Sequence, residues 1–278
     1  MKIKLEESRR GDRIRIPYFI KSCNSNSEKT LTISKLLLKA YFLLNEFNPN
    51  SFIRSRNVMR KLKIKAGERI FDAGCGVGFY SLRLAYKGAY VVGGDLLPLF
   101  RYARDLGDNK LLKFIDFVLM DLNYIPIRSK VFDKIICVDV LEHIHIDEKV
   151  VAEFSRILKN NGELLVHVPN LNRYAILKAR EKQRALQLEK GYGHVRSGYT
   201  LNQLSPLLEK NGIQVRDYNY TFGFWSRVAG NFYSVFKNTI LIFPLLFFLA
   251  LVDKASKTSE YNGGILIIGK KVRDGCLT

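Results

Sequence analysis

Asp72-Ala73-Gly74-Cys75-Gly76-Val77-Gly78 sets three alternating glycines behind an acid, where an apolar run gives way to a helical pattern. Glycines belong where a ligand must approach the backbone more closely than a Cβ permits, or where φ must be positive. The helix that follows offers unpaired N–H groups and a favourable dipole end to a negative group. The spacing separates this loop from a nicotinamide-dinucleotide fingerprint, whose third glycine would stand where the chain has Phe79. Asp95 follows Gly74 by 21 residues and closes the next apolar run, where a carboxylate accepts hydrogen bonds from both hydroxyls of a ribose. Loop and acid together indicate an adenosine-containing ligand without a pyrophosphate.

Such residues need a scaffold that gathers the ends of several elements, and from Glu68 onward short apolar runs alternate with helical segments. Strands are expected at 69–72, 90–95, 114–120, 134–138 and 163–168, and helices from Ser81, over 97–106 and over 148–158, the last stopping at Asn160-Asn161-Gly162. This alternation calls for an α/β fold with a parallel sheet covered on both faces, and right-handed crossovers make it doubly wound. Thr200 and Gln203 form a capping-box pair before a helix that ends at Asn211-Gly212, with Ser205 as the alternative start because Pro206 follows it. Runs 213–220 and 265–272 supply the last two strands.

The whole ordered set resembles the class I S-adenosylmethionine-dependent methyltransferases, in particular the type 11 branch related to quinone-biosynthesis enzymes. The resemblance rests on Phe71 to Gly78, Gly94-Asp95, Met120-Asp121-Leu122, the run Phe132 to His143, Arg156 to Gly162 and His194-Val195-Arg196. It covers roughly residues 55 to 220 and the final strand. It implies a Rossmann-like, seven-stranded, mostly parallel sheet with the last strand antiparallel, and S-adenosyl-L-methionine as cofactor. It also implies roles. Asp72 organises the loop and meets the methionine ammonium, directly or through water, while Gly74, Gly76 and Gly78 leave room for the methionyl and ribose parts. Asp95 binds the ribose, Leu96 packs on adenine, and Asp121 with the Leu122 backbone holds the adenine amino group. Val138 and Asp139 line the methionine side and the acceptor entrance. Methyl transfer from a sulfonium is an in-line displacement, so alignment and exclusion of water are the main tasks. A base is needed for a hydroxyl or protonated-amine acceptor, and His143 is the expected one, ahead of His194 and His167.

Four regions are expected: a basic arm with a helical cap over 1–60, a core over 61–221 containing a basic helical insert at 171–199, an apolar and aromatic insertion over 222–261, and a final strand and tail over 262–278. The chain of 278 residues has a formal charge of +19, and the first 65 residues contribute +11 of it. That charge implies an anionic partner or surface without naming the reaction. Cys23, Cys75, Cys137 and Cys276 lie too far apart for a zinc ligand set or a disulfide scaffold, and no metal is expected. The N-terminus lacks a signal-peptide apolar core, so a cytoplasmic location is expected. Residues 240–252 are thirteen consecutive apolar positions, short for a membrane crossing and interrupted by Pro244. They form either a buried cap or a monotopic element in a membrane interface. The expected activity is methyl transfer to oxygen or carbon of a small apolar or lipid-linked acceptor, with peripheral contact to anionic membrane and no obligate protein partner. RNA methylation and a non-catalytic docking module are the alternatives. Asp139-Val140-Leu141-Glu142, in place of an Asn/Asp-Pro-Pro-aromatic motif, speaks against amino-directed base methylation.

Overall fold

The computed structural model describes residues 49–101, 109–174, 193–226, 248, 260 and 262–272. Helix α1 (Pro49–Lys61) leads into β1 (Arg69–Ala73), α2 (Phe79–Tyr86), β2 (Tyr90–Asp95), α3 (Asn109–Leu112), β3 (Ile115–Leu119) and β4 (Phe132–Val138). Then follow α4 (Asp147–Ile157), β5 (Leu158–Pro169), α5 (Leu201–Lys210), β6 (Ile213–Thr221) and β7 (Gly264–Lys271). The seven strands form one sheet in the order β3-β2-β1-β4-β5-β7-β6. Strands β1 to β5 pair in parallel, and β7 runs antiparallel to both of its neighbours. The strand order reverses between β1 and β4, and in such sheets the crevice beyond the carboxyl ends at that point is where ligands bind.

Successive strand residues leave for opposite faces, which divides the core into two layers. Phe71, Ile135, Leu164 and Ile267 pack beneath α4 and α5 with Val151, Phe154, Leu204 and Leu208. Their neighbours Ile70, Ile136, Leu165 and Leu266 pack on the other face with Val58 and Leu62 from the N-terminal side and Leu84 and Ala85 of α2. Burial of both faces explains the unbroken apolar runs that mark these strands in the sequence.

Helix α5 starts at Leu201 behind Thr200, with both halves of the capping box formed and Pro206 inside the helix. Ser205 is therefore not its start. A proline there forgoes a bond to the carbonyl of Asn202, whose surface position lets water replace it. The fifth strand also starts earlier than expected, at Leu158. Leu158 pairs with Phe132 and Glu163 with Lys134, so Asn160-Asn161-Gly162 is taken into a bulge of the strand. Asn161 adopts the left-handed conformation (φ 63°), which asparagine tolerates better than most residues.

The apolar stripe of residues 31–44, the second half of the expected 97–106 helix, most of the 171–199 insert and nearly all of the 222–261 insertion lie outside the described residues. Among the described residues no helix is long and apolar enough to cross a membrane. The expected division at residue 60 falls inside α1, whose Ile53 and Val58 are buried.

Candidate active site

The glycine loop leaves the carboxyl end of β1 and enters α2 with Gly78 at the N-cap. At Gly74 both conformation and space demand glycine: φ is 72°, and a Cβ would lie 2.4 Å from Val140 Cγ2. Gly76, at φ 52°, differs, because a Cβ there would meet nothing within 4 Å. Its face is open, a cradle over which a ligand can rest on the backbone. The loop is stitched to β2, since the amides of Gly74 and Cys75 donate to the Gly94 carbonyl at 2.8 and 3.1 Å. Asp95 makes the second stitch: the Gly76 N–H donates to Oδ2 at 2.8 Å and the Leu97 N–H to Oδ1 at 2.9 Å.

Asp72 lies under the loop. It is buried, and the Ser81 hydroxyl donates to its Oδ2 at 2.6 Å. Burial, opposed by the Ser81 hydrogen bonds and reinforced by the negative charge of Asp95, pushes its carboxyl from the usual 3.8 up to about 7. Unfolding returns Asp72 to its ordinary value, so between about pH 4 and pH 7 the unfolded chain holds fewer protons than the folded one. Stability from this group is complete below pH 4 and is lost as pH rises through 7. Asp72→Asn is therefore expected to raise stability at pH 8 by about 2–4 kcal/mol and to change nothing at pH 4. Urea unfolding of both proteins across this range checks it, and parallel pH profiles would refute it.

Leu96 is exposed beside Asp95. Asp121 is exposed too, its Oδ1 accepting the Asn123 backbone and side-chain amides at 2.9 and 2.8 Å. The Leu122 side chain is buried in the core, which leaves only its backbone for a ligand. Cys75 and Cys137 are buried, and burial pushes both thiols up, as suits small apolar fillers.

Across the loop, β4 ends at Val138, and Asp139 turns the chain with φ 53°. Arg54 of α1 pairs with Asp139 Oδ2 and hydrogen-bonds Tyr80 of α2. Burial works against ionisation of Asp139, but the Arg54 guanidinium and His167 outweigh it and hold the carboxyl well below the usual range. Spacing along the chain did not point to Arg54, whose partner lies 85 residues on.

After β4 a single turn, Leu141–His143, carries Glu142 into the interior and His143 to the surface. Burial, with the charge of Asp139 added, pushes the Glu142 carboxyl up, and its Oε2 has no hydrogen-bond partner. His143 Nδ1 sits 3.2 Å from the Gly193 carbonyl, and its ring meets His194 edge to face with centroids 4.5 Å apart. Nitrogen and oxygen atoms of Glu142, His143 and His194 all lie within 4.8 Å of one another, a grouping of metal-ligand types that the sequence spacing does not show. The loop after β5 completes it. His167 is 1% exposed, and its two ring nitrogens lie against Asp139 and Thr221.

Residues 71–166 match the profile of a family described as a methyltransferase domain, and they span the glycine loop and most of strands β1 to β5. This segment is similar to a methyltransferase domain. The chain is similar to the ubiquinone biosynthesis O-methyltransferase of Coxiella burnetii, 28% identical over 135 residues, which cover 48% of this chain and 56% of that one. The corresponding protein of Xanthomonas euvesicatoria is 28% identical over 180 residues, 63% of this chain and 72% of that one. An S-adenosylmethionine-dependent methyltransferase structure from Mesorhizobium loti superposes with a TM-score of 0.56 at 16% identity, covering 78% of this chain and 96% of the other. The methyltransferase domain thus accounts for the fold, whereas the chain spans only about half the length of the Coxiella relative that it matches.

Proposed function

We propose that this chain is an S-adenosylmethionine-dependent methyltransferase acting on oxygen or carbon of a small apolar or lipid-linked acceptor. The observation that carries the donor reading is Asp95, which closes β2 and is bonded to the amide of Gly76 beneath that residue's open face. The residues present suit the donor. An open glycine cradle accepts backbone-close ligand atoms, a carboxylate suits a ribose diol, exposed Leu96 suits an adenine face, and the Arg54 guanidinium suits a carboxylate. When bound, the donor supplies a methyl group already activated by a sulfonium charge.

The chain's own part is alignment and proton handling. Gly74, Gly76 and Gly78 bring the backbone close; Asp95 takes the ribose hydroxyls; Asp121 and the Leu122 backbone take the adenine edge. Arg54, held by Asp139 beside Val138, takes the methionyl end. His143 is placed to serve a hydroxyl acceptor. If its Nδ1–H donates to the Gly193 carbonyl, Nε2 presents a lone pair to take the acceptor proton.

Exposed Phe224 and Trp225, packed edge to face at 5.1 Å just after β6, support an apolar acceptor or a peripheral membrane contact. They stand at the root of the 222–261 insertion, with its thirteen-residue apolar run. Incubating the chain with methyl-labelled donor and fractionated cell extract tests the reading. Label in the lipid fraction is the expected result. Label in RNA or in the aqueous pool would overturn the acceptor class, and no transfer at all would overturn the activity.

A further inference from the structure

Beneath the proposed methionyl end, the half-buried Asp139 and two buried polar side chains from separate parts of the sheet form a hydrogen-bonded chain. His167 of β5 is 1% exposed and Thr221, the last residue of β6, is 4% exposed. His167 Nδ1 lies 2.5 Å from Asp139 Oδ1, and Nε2 lies 3.0 Å from Thr221 Oγ1. The other Asp139 oxygen holds Arg54. An ionised carboxylate can only accept, so Nδ1 carries a proton. Nε2 then either accepts the Thr221 hydroxyl proton or, in a charged ring, donates to Oγ1. In both cases the threonine oxygen is its partner.

Two further observations show that the chain is built in. Asp139 sits in the left-handed region, a conformation that a residue other than glycine keeps only where its surroundings impose it. His167 grips it twice, through the ring and through its carbonyl, which accepts the Asp139 N–H at 2.9 Å. The first residue of β7, Gly264, lies opposite Thr221 on one side and Pro169 on the other. Its φ is not positive, so conformation does not require glycine there. Space does: a Cβ would fall 2.5 Å from Thr221 Oγ1 and 2.9 Å from His167 Nε2, within the hydrogen bond itself.

We infer that His167 and Thr221 are positioning residues for the donor site, holding the Asp139 carboxylate, and through it the Arg54 guanidinium, against the methionyl end. This rests on the methyltransferase reading above. It also ties the donor site to the strand end from which the 222–261 insertion departs.

Thr221→Val keeps the shape and removes the hydroxyl, leaving Nε2 buried without a partner. The Kd for S-adenosylhomocysteine and the KM for the donor should both rise about tenfold while kcat changes less than twofold. Thr221→Ser should restore both to within about twofold of the parent, and Gly264→Ala should behave like Thr221→Val. A Thr221→Val protein that melts lower yet binds S-adenosylhomocysteine as the parent does would overturn the positioning role. Should that variant not fold, the parent decides: adding S-adenosylhomocysteine should shift the His167 Nδ1 proton resonance, and an unmoved resonance overturns the inference. If the parent itself binds no S-adenosylhomocysteine, the methyltransferase reading falls, and the inference falls with it.

Discussion

Asp95→Ala is expected to weaken S-adenosylhomocysteine binding at least about 100-fold while the sheet stays folded. The carboxylate has two tasks. Towards the protein it accepts the Gly76 and Leu97 amides, which fixes the open face of the loop relative to the end of β2. Towards the ligand it is the proposed acceptor for the ribose hydroxyls. Hydrogen bonds to a charged group each contribute about 1.5–3 kcal/mol, and losing two of them corresponds to at least 100-fold in Kd. Asp95 is half-buried at a strand end, so the core beneath it loses no packing. Calorimetry of the variant, with near-ultraviolet circular dichroism as the folding control, measures the effect; affinity within threefold of the parent would remove Asp95 from the site.

Arg54→Ala has the second largest expected effect, and a different signature. Arg54 holds the half-buried Asp139 carboxylate and reaches Tyr80, so its removal leaves a poorly solvated charge with only His167 beside it. Removing one partner of such a pair is expected to cost about 2 kcal/mol of stability. Donor affinity should fall as well, about 10- to 100-fold, because the proposed partner of the methionyl carboxylate is gone. Arg54→Lys should recover part of the stability but little of the affinity, since an ammonium keeps the charge and loses the planar two-pronged donor geometry. Thermal unfolding and ligand titration of both variants separate the two effects. Unchanged affinity in Arg54→Ala would confine Arg54 to a structural role.

The residues legible in the sequence are those whose positions follow from local pattern. Gly74, Gly76, Gly78 and Asp95 sit on a strand, a turn and the next strand, so their proximity follows from one βαβ unit and the 21-residue spacing. Asp139 and His143 are legible for the same reason, as the end of an apolar strand and the turn after it. Arg54 is not, because α1 crosses to the end of β4 only through packing of Val58 and Leu62 on the sheet. The approach of His194 to His143 is likewise set by the connection after β5, and that of Thr221 to His167 by antiparallel pairing through β7, 54 residues away along the chain. Gly264 illustrates the same limit. In the sequence it is an ordinary glycine before a strand, and its reason appears only once the Thr221 to His167 bond occupies the space where its Cβ would lie. The bulge at Asn160-Asn161-Gly162 reads as a helix stop because its left-handed asparagine and its glycine serve either purpose.

The open face at Gly76 and the carboxylate of Asp95 together make the proposed donor site for S-adenosylmethionine. Titrating the full chain with S-adenosylmethionine in a calorimeter tests it most directly. Saturable binding is expected at one site per chain, with a Kd between about 1 µM and 1 mM, displaced by S-adenosylhomocysteine and not by NAD. The absence of saturable heat at about 5 mM ligand, or displacement by NAD alone, would contradict it.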